Sequence, residues 1–118
     1  MKTHNTPAAP YYAVIFSSCK SSHLDGYAEM AERMQTLSAA QPGYLGMVHA
    51  VTDDGISVTT SYWQDLASIS AWKANSEHQL AQQSGIAQWY DEYTIEIARV
   101  EKVYHWQRAE LLDESGSV

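Results

Sequence analysis

Hydrophobic and polar positions alternate along four segments of the chain, and in two other segments they repeat with a helical period. The alternating segments are rich in β-branched and aromatic residues, as β-strands are. They cover residues 11–18, 44–52, 56–63 and about 93–106. Asp54-Gly55 lies between the second and third of these segments and predicts a hairpin there.

Each helical segment presents one apolar face. In the first, that face carries Tyr27, Met30, Ala31, Met34, Leu37 and Ser38, and Pro42-Gly43 ends the helix. Asp65 is the expected N-cap of the second helix, whose stripe is Leu66, Ile69, Trp72 and Lys73. Ser76 is expected to cap a separate short helical piece that ends at Gly85.

The resulting order, βαββαβ, predicts an α+β fold of the ferredoxin-like kind with an antiparallel sheet. We expect a flexible N-terminal arm over residues 1–10, one domain over residues 11–106 and a C-terminal tail over residues 107–118. The first strand is apolar on both faces, yet two helices cover only one face of such a sheet. Because soluble monomers rarely expose a large apolar face, the pattern predicts a homodimer joined through the other sheet face.

Charge and cysteine content narrow the class of protein. The formal net charge is −7 and the seven Lys and Arg are scattered, which argues against nucleic acid and anionic membranes as partners. Cys19 is the single cysteine, so no intrachain disulfide forms. The start of the chain does not resemble a signal peptide, and no apolar stretch has transmembrane length, so we expect a cytoplasmic protein.

Two histidines are candidate catalytic residues. His78 opens a stretch rich in glutamine and aromatic residues, and it is suited to act as a general base or to donate a hydrogen bond to an oxygen anion. The simpler reading is a partly buried histidine that holds the start of a helix against the sheet. His49 lies mid-strand among apolar neighbours and is either a base or a dimer-interface histidine.

Large amphipathic side chains are candidates for the wall of a site for a flat aromatic molecule. The substrate-binding candidates are Tyr62, Trp72, Gln82, Trp89, Tyr90 and Tyr93. Core packing is the simpler reading for Trp72 and Trp89. The histidines lack metal-ligand spacing and no phosphate-binding glycine loop is present, so we expect no metal and no cofactor.

Several short motifs together resemble the antibiotic biosynthesis monooxygenase (ABM) domain family. They are "QPGYLG" after the first helix, "SYW" closing the third strand, "AW" in the next helix, and H-x-x-A-Q-x-x-G-x-x-W-Y-x-x-Y from His78 onward. The resemblance implies a dimeric α+β barrel with a pocket between sheet and helices in each subunit. In the haem-degrading branch an iron-ligating histidine follows the helix tryptophan by ten residues. Here Gln82 holds that position, so no haem ligand carries over.

The chain also departs from the branch that it most resembles. Ile86 stands where a basic residue usually follows the motif glycine, and Val48 and His49 replace an acidic and a small polar residue. The leading hypothesis is a cofactor-independent monooxygenase acting on a small aromatic or phenolic substrate. The alternatives are a non-catalytic, small-molecule-binding or stress-related barrel protein and, third, a haem-degrading monooxygenase.

Overall fold

The computed structural model describes residues 8–81 and 86–108, with side chains for residues 8–77 and 88–108. The elements in chain order are β1 (Tyr11–Lys20), α1 (Tyr27–Ala39), β2 (Tyr44–Val51), β3 (Ile56–Trp63), α2 (Leu66–Ala81), α3 (Ile86–Trp89) and β4 (Tyr90–Val100). The four strands form one antiparallel sheet in the order β2-β3-β1-β4. The predicted ferredoxin-like α+β fold is confirmed.

Both long helices lie on one side of the sheet. Phe16 and Trp63 point to this side, here called the helix face, and Ile15 and Tyr62 point to the opposite side, the open face. Trp72 of α2 stacks on Trp63 with ring centroids 6.2 Å apart. Lys20 belongs to the helix face, and its ammonium lies over the ring of Tyr27 in α1.

The most deeply buried part of the helix face is the Trp63 cluster, which consists of Trp63, Tyr44 and Trp72. Trp63 has no exposed surface. Its indole N–H donates to Ser61 Oγ at 2.8 Å, and the edge of Tyr44 meets its ring at 5.5 Å. Trp63 is the closed centre of this cluster, with its polar atom satisfied, and the partly buried Tyr44 and Trp72 pack around it.

The start of α2 is fixed by the predicted cap. Asp65 Oδ1 accepts hydrogen bonds from the Ser68 amide at 2.8 Å and from the Ser68 hydroxyl at 2.7 Å. These bonds lower the pKa of Asp65, the hydroxyl bond most. Gly43 has φ +87° and packs against Ser68, whose Cβ would lie 2.6 Å from a side-chain carbon at position 43. The missing side chain at Gly43 therefore also lets the turn pack closely against the Ser68 side chain at the start of α2.

The hairpin at Asp54-Gly55 is confirmed. Thr52 N donates to the carbonyl of Ile56 at 2.9 Å and closes a loop in which Gly55 adopts φ +90°. A three-residue loop of this kind requires a left-handed residue at its last position, which glycine supplies without steric cost.

The predicted boundaries of α2 and of the last strand are wrong. α2 runs without a break from Leu66 to Ala81, and Ser76 is not a cap, because its hydroxyl donates to the Lys73 carbonyl one turn earlier at 3.0 Å. The last strand begins at Tyr90 rather than Tyr93 and ends at Val100 rather than near Trp106. Residues 101–108 continue as exposed chain outside the sheet. Within the described ranges, no helix combines the length and apolar character needed to cross a membrane.

Candidate functional site

Four aromatic rings form a second cluster on the helix face, where β1 ends and β4 begins. This Tyr90 cluster consists of Phe16, Tyr27, Tyr90 and Tyr93. Tyr90 meets Phe16, Tyr93 and Tyr27 at centroid distances of 5.6, 5.6 and 6.0 Å, and Phe16 meets Tyr93 at 5.5 Å. The contacts of Tyr90 have the edge-to-face geometry that aromatic quadrupoles favour.

A β-bulge brings two of these rings to the same face. Tyr90 and Tyr93 are three residues apart, so regular alternation would point them to opposite faces. The register of β1 with β4 shifts between Cys19 and Lys20: Ser18 pairs with Tyr93, and Lys20 pairs with Tyr90. The extra residue in β4 turns both tyrosines toward the helices.

Trp89 supports the cluster from behind. Its side chain is 3% exposed, its indole N–H donates to the Asp25 carbonyl at 2.9 Å, and its ring meets Tyr27 at 5.8 Å. The Trp89 carbonyl also accepts a hydrogen bond from the Ser21 amide at 2.8 Å. Trp89 therefore anchors α3 and the start of β4 to the loop before α1.

The opposite side of the cluster is open. Tyr93 is 53% exposed, and Ile95 and Ile97, which follow it on the same face of β4, are exposed to a similar degree. Aromatic and aliphatic surface is thus accessible along one edge of the helix face. Such a surface suits a flat apolar molecule held by stacking and burial.

The Tyr90 hydroxyl stays protonated. Burial is the largest cause that raises the pKa of Tyr90. Tyr27 raises it further through its charge and a side-chain hydrogen bond, and Tyr93 does so through its charge. A neutral phenol donates a hydrogen bond but does not abstract protons near neutral pH. Tyr90 is therefore equipped to stabilise an oxygen anion and not to serve as a base.

Lys20 brings a positive charge to the cluster. Its ammonium donates to Ser57 Oγ at 2.6 Å and lies 5.1 Å from the centroid of the Tyr27 ring. Ser57 is itself buried. Over residues 8–77 and 88–108, no carboxylate lies within ion-pair distance of Lys20.

His49 lies away from the cluster, on the helix face together with Met47 and Val51, as the sequence predicted. Its side chain is exposed on the edge strand β2, where Nδ1 is 2.8 Å from Thr59 Oγ1. Cross-strand pairing puts His49 in one row with Thr59, Phe16 and Ile95 on the helix face. Two strand spacings separate it from Phe16, a distance of about 10 Å.

The other predicted residues divide among three places. Tyr62 points to the open face, where its ring meets Tyr11 at 5.8 Å, so the sheet separates it from Tyr93. Trp72 belongs to the Trp63 cluster. His78 lies in α2, but its side chain is outside the described part, and Gln82 lies wholly outside it. Among the candidates with described side chains, the structure brings Tyr90 and Tyr93 into direct ring contact.

Sequence reasoning missed Phe16, Tyr27 and Lys20. Phe16 and Tyr27 are indistinguishable in sequence from core residues of a strand and a helix. Lys20 follows the predicted end of β1, but it shares the parity of Phe16 and so the same face of a longer strand. In the described part of the chain, no three His, Cys, Asp or Glu side chains form a metal-binding group.

Known proteins share this fold. The family model described as "Antibiotic biosynthesis monooxygenase" matches residues 10–84, which include Phe16, Lys20 and Tyr27. The uncharacterized protein YqjZ of Bacillus subtilis is 46% identical over 97 residues, covering 82% of this chain and 85% of its own length.

Two solved structures are similar in fold at low sequence identity. A variant of SnoaB, described as a cofactor-independent oxygenase from Streptomyces nogalater, superposes with a TM-score of 0.66 at 12% identity, covering 80% of this chain and 97% of its own. The protein SO0527 of Shewanella oneidensis has the same TM-score at 9% identity and covers 80% and 94%. The extent of the family match and the identity to YqjZ establish that the chain belongs to the antibiotic biosynthesis monooxygenase family.

Proposed function

We propose that this protein is a monooxygenase that needs no metal or flavin and oxidises a small, electron-rich phenol at the Tyr90 cluster. The open aromatic surface of that cluster carries the proposal, because it combines exposed ring area at Tyr93 with the neutral hydroxyl of Tyr90. Family membership and the fold shared with SnoaB support the reaction class.

The chemistry needs only the substrate, dioxygen and a base. A base removes a proton from the phenol or its keto tautomer, and the electron-rich ring carbon then reduces dioxygen and forms a carbon–oxygen bond to it. The peroxide gains a proton and loses water to give a quinone. The substrate supplies all four electrons, so one dioxygen yields one quinone oxygen and one water. The Tyr90 hydroxyl is suited to hydrogen-bond the substrate oxygen as charge develops there.

We assign the base to His78 rather than His49. A base must come within about 3 Å of the proton it removes. The backbone of His49 is two strand spacings, about 10 Å, from that of Phe16, the cluster residue in the same cross-strand row. His78 lies in α2, the element that precedes α3 and the buried Trp89, which backs the cluster.

Oxidation of anthrone to anthraquinone by the purified protein tests this proposal. We expect quinone formation with equimolar uptake of dioxygen, a loss of at least tenfold in kcat for His78→Ala, and nearly unchanged kcat for the matched control His49→Ala. Tyr93→Ala is expected to raise KM more than it lowers kcat, because it removes stacking surface. Absence of turnover across a panel of anthrones and naphthols would overturn the proposal.

A second candidate function is binding of an aromatic molecule without chemistry. It is favoured by one observation: His49, the candidate base whose side chain is described, hydrogen-bonds Thr59 on the neighbouring strand and not a ring of the cluster. This candidate predicts that a bound aromatic is recovered unoxidised in air and that His78→Ala leaves its affinity unchanged.

We also propose that two copies pair through their open faces. Most residues of that face on β1, β2 and β3 are apolar, and neither long helix covers them; they include Ile15, Val48, Val58 and Tyr62. On β4 the same face carries Glu92, Thr94 and Glu96, so the contact would centre on the other three strands. Tyr104 and Trp106, exposed beyond the sheet, are available to extend it.

Two valines on one strand offer a matched test of this pairing. Val48 is 53% exposed on the open face, and Val51 is 58% exposed on the helix face. We expect sedimentation equilibrium to give about twice 13.2 kDa for the natural protein and for Val51→Asp. Val48→Asp is expected to shift the mass toward the monomer, because it buries an unpaired charge. A monomeric natural protein would contradict the pairing.

A further inference from the structure

The charge balance around the Tyr90 cluster is unusual for this chain. The protein carries a net charge of −7, and its lysines and arginines are few and scattered. Lys20 nevertheless places its ammonium against a ring of the cluster, held by Ser57 and Tyr27. Within the described residues it has no carboxylate partner, so its charge is not neutralised there.

The ammonium has hydrogen-bonding capacity to spare. A lysine ammonium has three N–H donors. In the described part of the chain, a single hydrogen bond uses them, the one to Ser57 Oγ. The side chain is half-buried, and its partner Ser57 is only 4% exposed, so the head group is fixed and partly removed from water. A fixed, unpaired cation in reduced dielectric interacts strongly with an incoming anion.

A cationic group and an aromatic apolar surface therefore lie side by side. Tyr27 contacts both the ammonium and the Tyr90 ring, and Tyr90 contacts Phe16 and Tyr93, so the rings extend continuously away from the charge. A ligand complementary to this arrangement has a flat apolar body and one negative group at its end.

We infer that the Tyr90 cluster binds aromatic monoanions, with Lys20 as the group that receives the anion. The ligand class covers aryl carboxylates and phenolates, which share a planar ring and a terminal oxygen anion. The inference deepens the proposed function, on whose aromatic site it rests, and names the group that holds the substrate oxygen as an anion once the base has removed the proton.

Binding measured without oxygen tests this directly. Titration calorimetry under nitrogen would compare 2-naphthoate with its neutral analogue 2-naphthamide, and 4-nitrophenolate with neutral nitrobenzene. We expect each anion to bind at least about tenfold more tightly than its neutral counterpart, as a charge-assisted hydrogen bond provides. The anion that binds more tightly identifies the preferred oxygen group.

Three variants assign the effect to Lys20. Lys20→Met keeps most of the apolar stem of the side chain and removes the charge, so it should weaken binding of the anions about tenfold and leave binding of the neutral ligands within about twofold. Lys20→Arg should restore most of the anion affinity. Lys73→Met removes an exposed lysine of α2, and with it the same formal charge, and should change neither ligand class.

The outcomes separate this inference from the proposed function. Equal affinity for anions and neutral analogues, or equal effects of Lys20→Met and Lys73→Met, would overturn the role of Lys20 and leave the aromatic site standing. Failure of all four ligands to bind would overturn both. Binding of the anions with loss in Lys20→Met and recovery in Lys20→Arg would support the inference whether or not oxidation occurs.

Discussion

The helix face carries two aromatic clusters that are similar in composition and different in construction. The Trp63 cluster is closed: Trp63 has no exposed surface, and its indole N–H is bonded within the sheet. The Tyr90 cluster is open: Tyr93 is half-exposed and a lysine without a carboxylate partner among the described residues stands beside it. Ring spacing is nearly the same in both, 5.5–6.2 Å in the first and 5.5–6.0 Å in the second.

The difference shows what distinguishes a core from a site when both are made of aromatic residues. Packing geometry does not distinguish a core from a site, because edge-to-face and stacked contacts stabilise either one. Exposed ring area and hydrogen-bond donors without partners do distinguish them, since a core leaves neither. Trp72 and Trp89 belong to supporting structure by this criterion, whereas Tyr90 and Tyr93 belong to the candidate site.

The largest expected effect comes from breaking the closed cluster. Trp63→Ala should lower the free energy of unfolding by about 3–5 kcal/mol, because it leaves a cavity beneath α2. Tyr93→Ala should cost only about 1 kcal/mol, since half of that side chain is already in water. Urea unfolding followed by circular dichroism measures both. Similar losses for the two variants would mean that the clusters do not differ as described.

The next largest effect is expected from a glycine in the backbone beside the closed cluster. Gly43→Ala combines a strained positive φ with a collision against Ser68 and should cost about 3 kcal/mol. Gly55→Ala has a similar φ with open space around it and should cost about 1–2 kcal/mol. The two thermal unfolding midpoints should differ in that order, and the reverse order would contradict the close approach of Gly43 to α2.

The burial of Tyr90 in the open cluster should change how the stability of the protein depends on alkaline pH. The raised pKa of Tyr90 means that folding favours its neutral form. The resulting stabilisation is complete below the unfolded pKa of about 10 and is lost as pH rises above it. Tyr90→Phe cannot ionise, so its stability should fall less steeply above that pH than that of the natural protein. Parallel stability curves for the two proteins would show that Tyr90 is not buried as described.

The smallest expected effect is at the N-cap of α2. The lowered pKa of Asp65 means that folding favours its charged form, so the stabilisation is present above the unfolded pKa and is lost as pH falls through the lower folded value. Asp65→Asn keeps a capping oxygen but does not titrate. Its unfolding midpoint should match the natural protein near pH 7 and fall less below about pH 4. An equal fall in both proteins would contradict the cap.

The fold was predictable because its signals are local. Alternation, the Asp54-Gly55 turn and the Pro42-Gly43 break each act within a few residues and placed the elements correctly. The errors arose where one local preference competes with another. Ser76 has the chemistry of a cap, but within a helix its hydroxyl bonds the preceding turn. Alternation beyond Val100 continues after β4 has lost its sheet partner.

The site was only partly predictable because it depends on contacts between distant segments. Tyr90 and Tyr93 were suggested by their composition, but the bulge that aligns them arises from pairing with β1. Tyr62 has the same chemistry and points to the other face, a fact of register. Lys20 reaches Tyr27 and Ser57 from the end of a strand that appeared in sequence to stop two residues earlier.

The central claim is that the Tyr90 cluster, and not the Trp63 cluster, receives an aromatic ligand. The four tryptophans make this measurable, because each indole N–H gives its own NMR cross-peak and single Trp→Phe variants assign them. During titration with 2-naphthoate under nitrogen, the Trp89 peak should shift and saturate, since its ring touches Tyr27, while the Trp63 peak stays in place. A saturating shift of Trp63 and Trp72 with Trp89 unmoved would place the ligand at the wrong cluster and contradict the account.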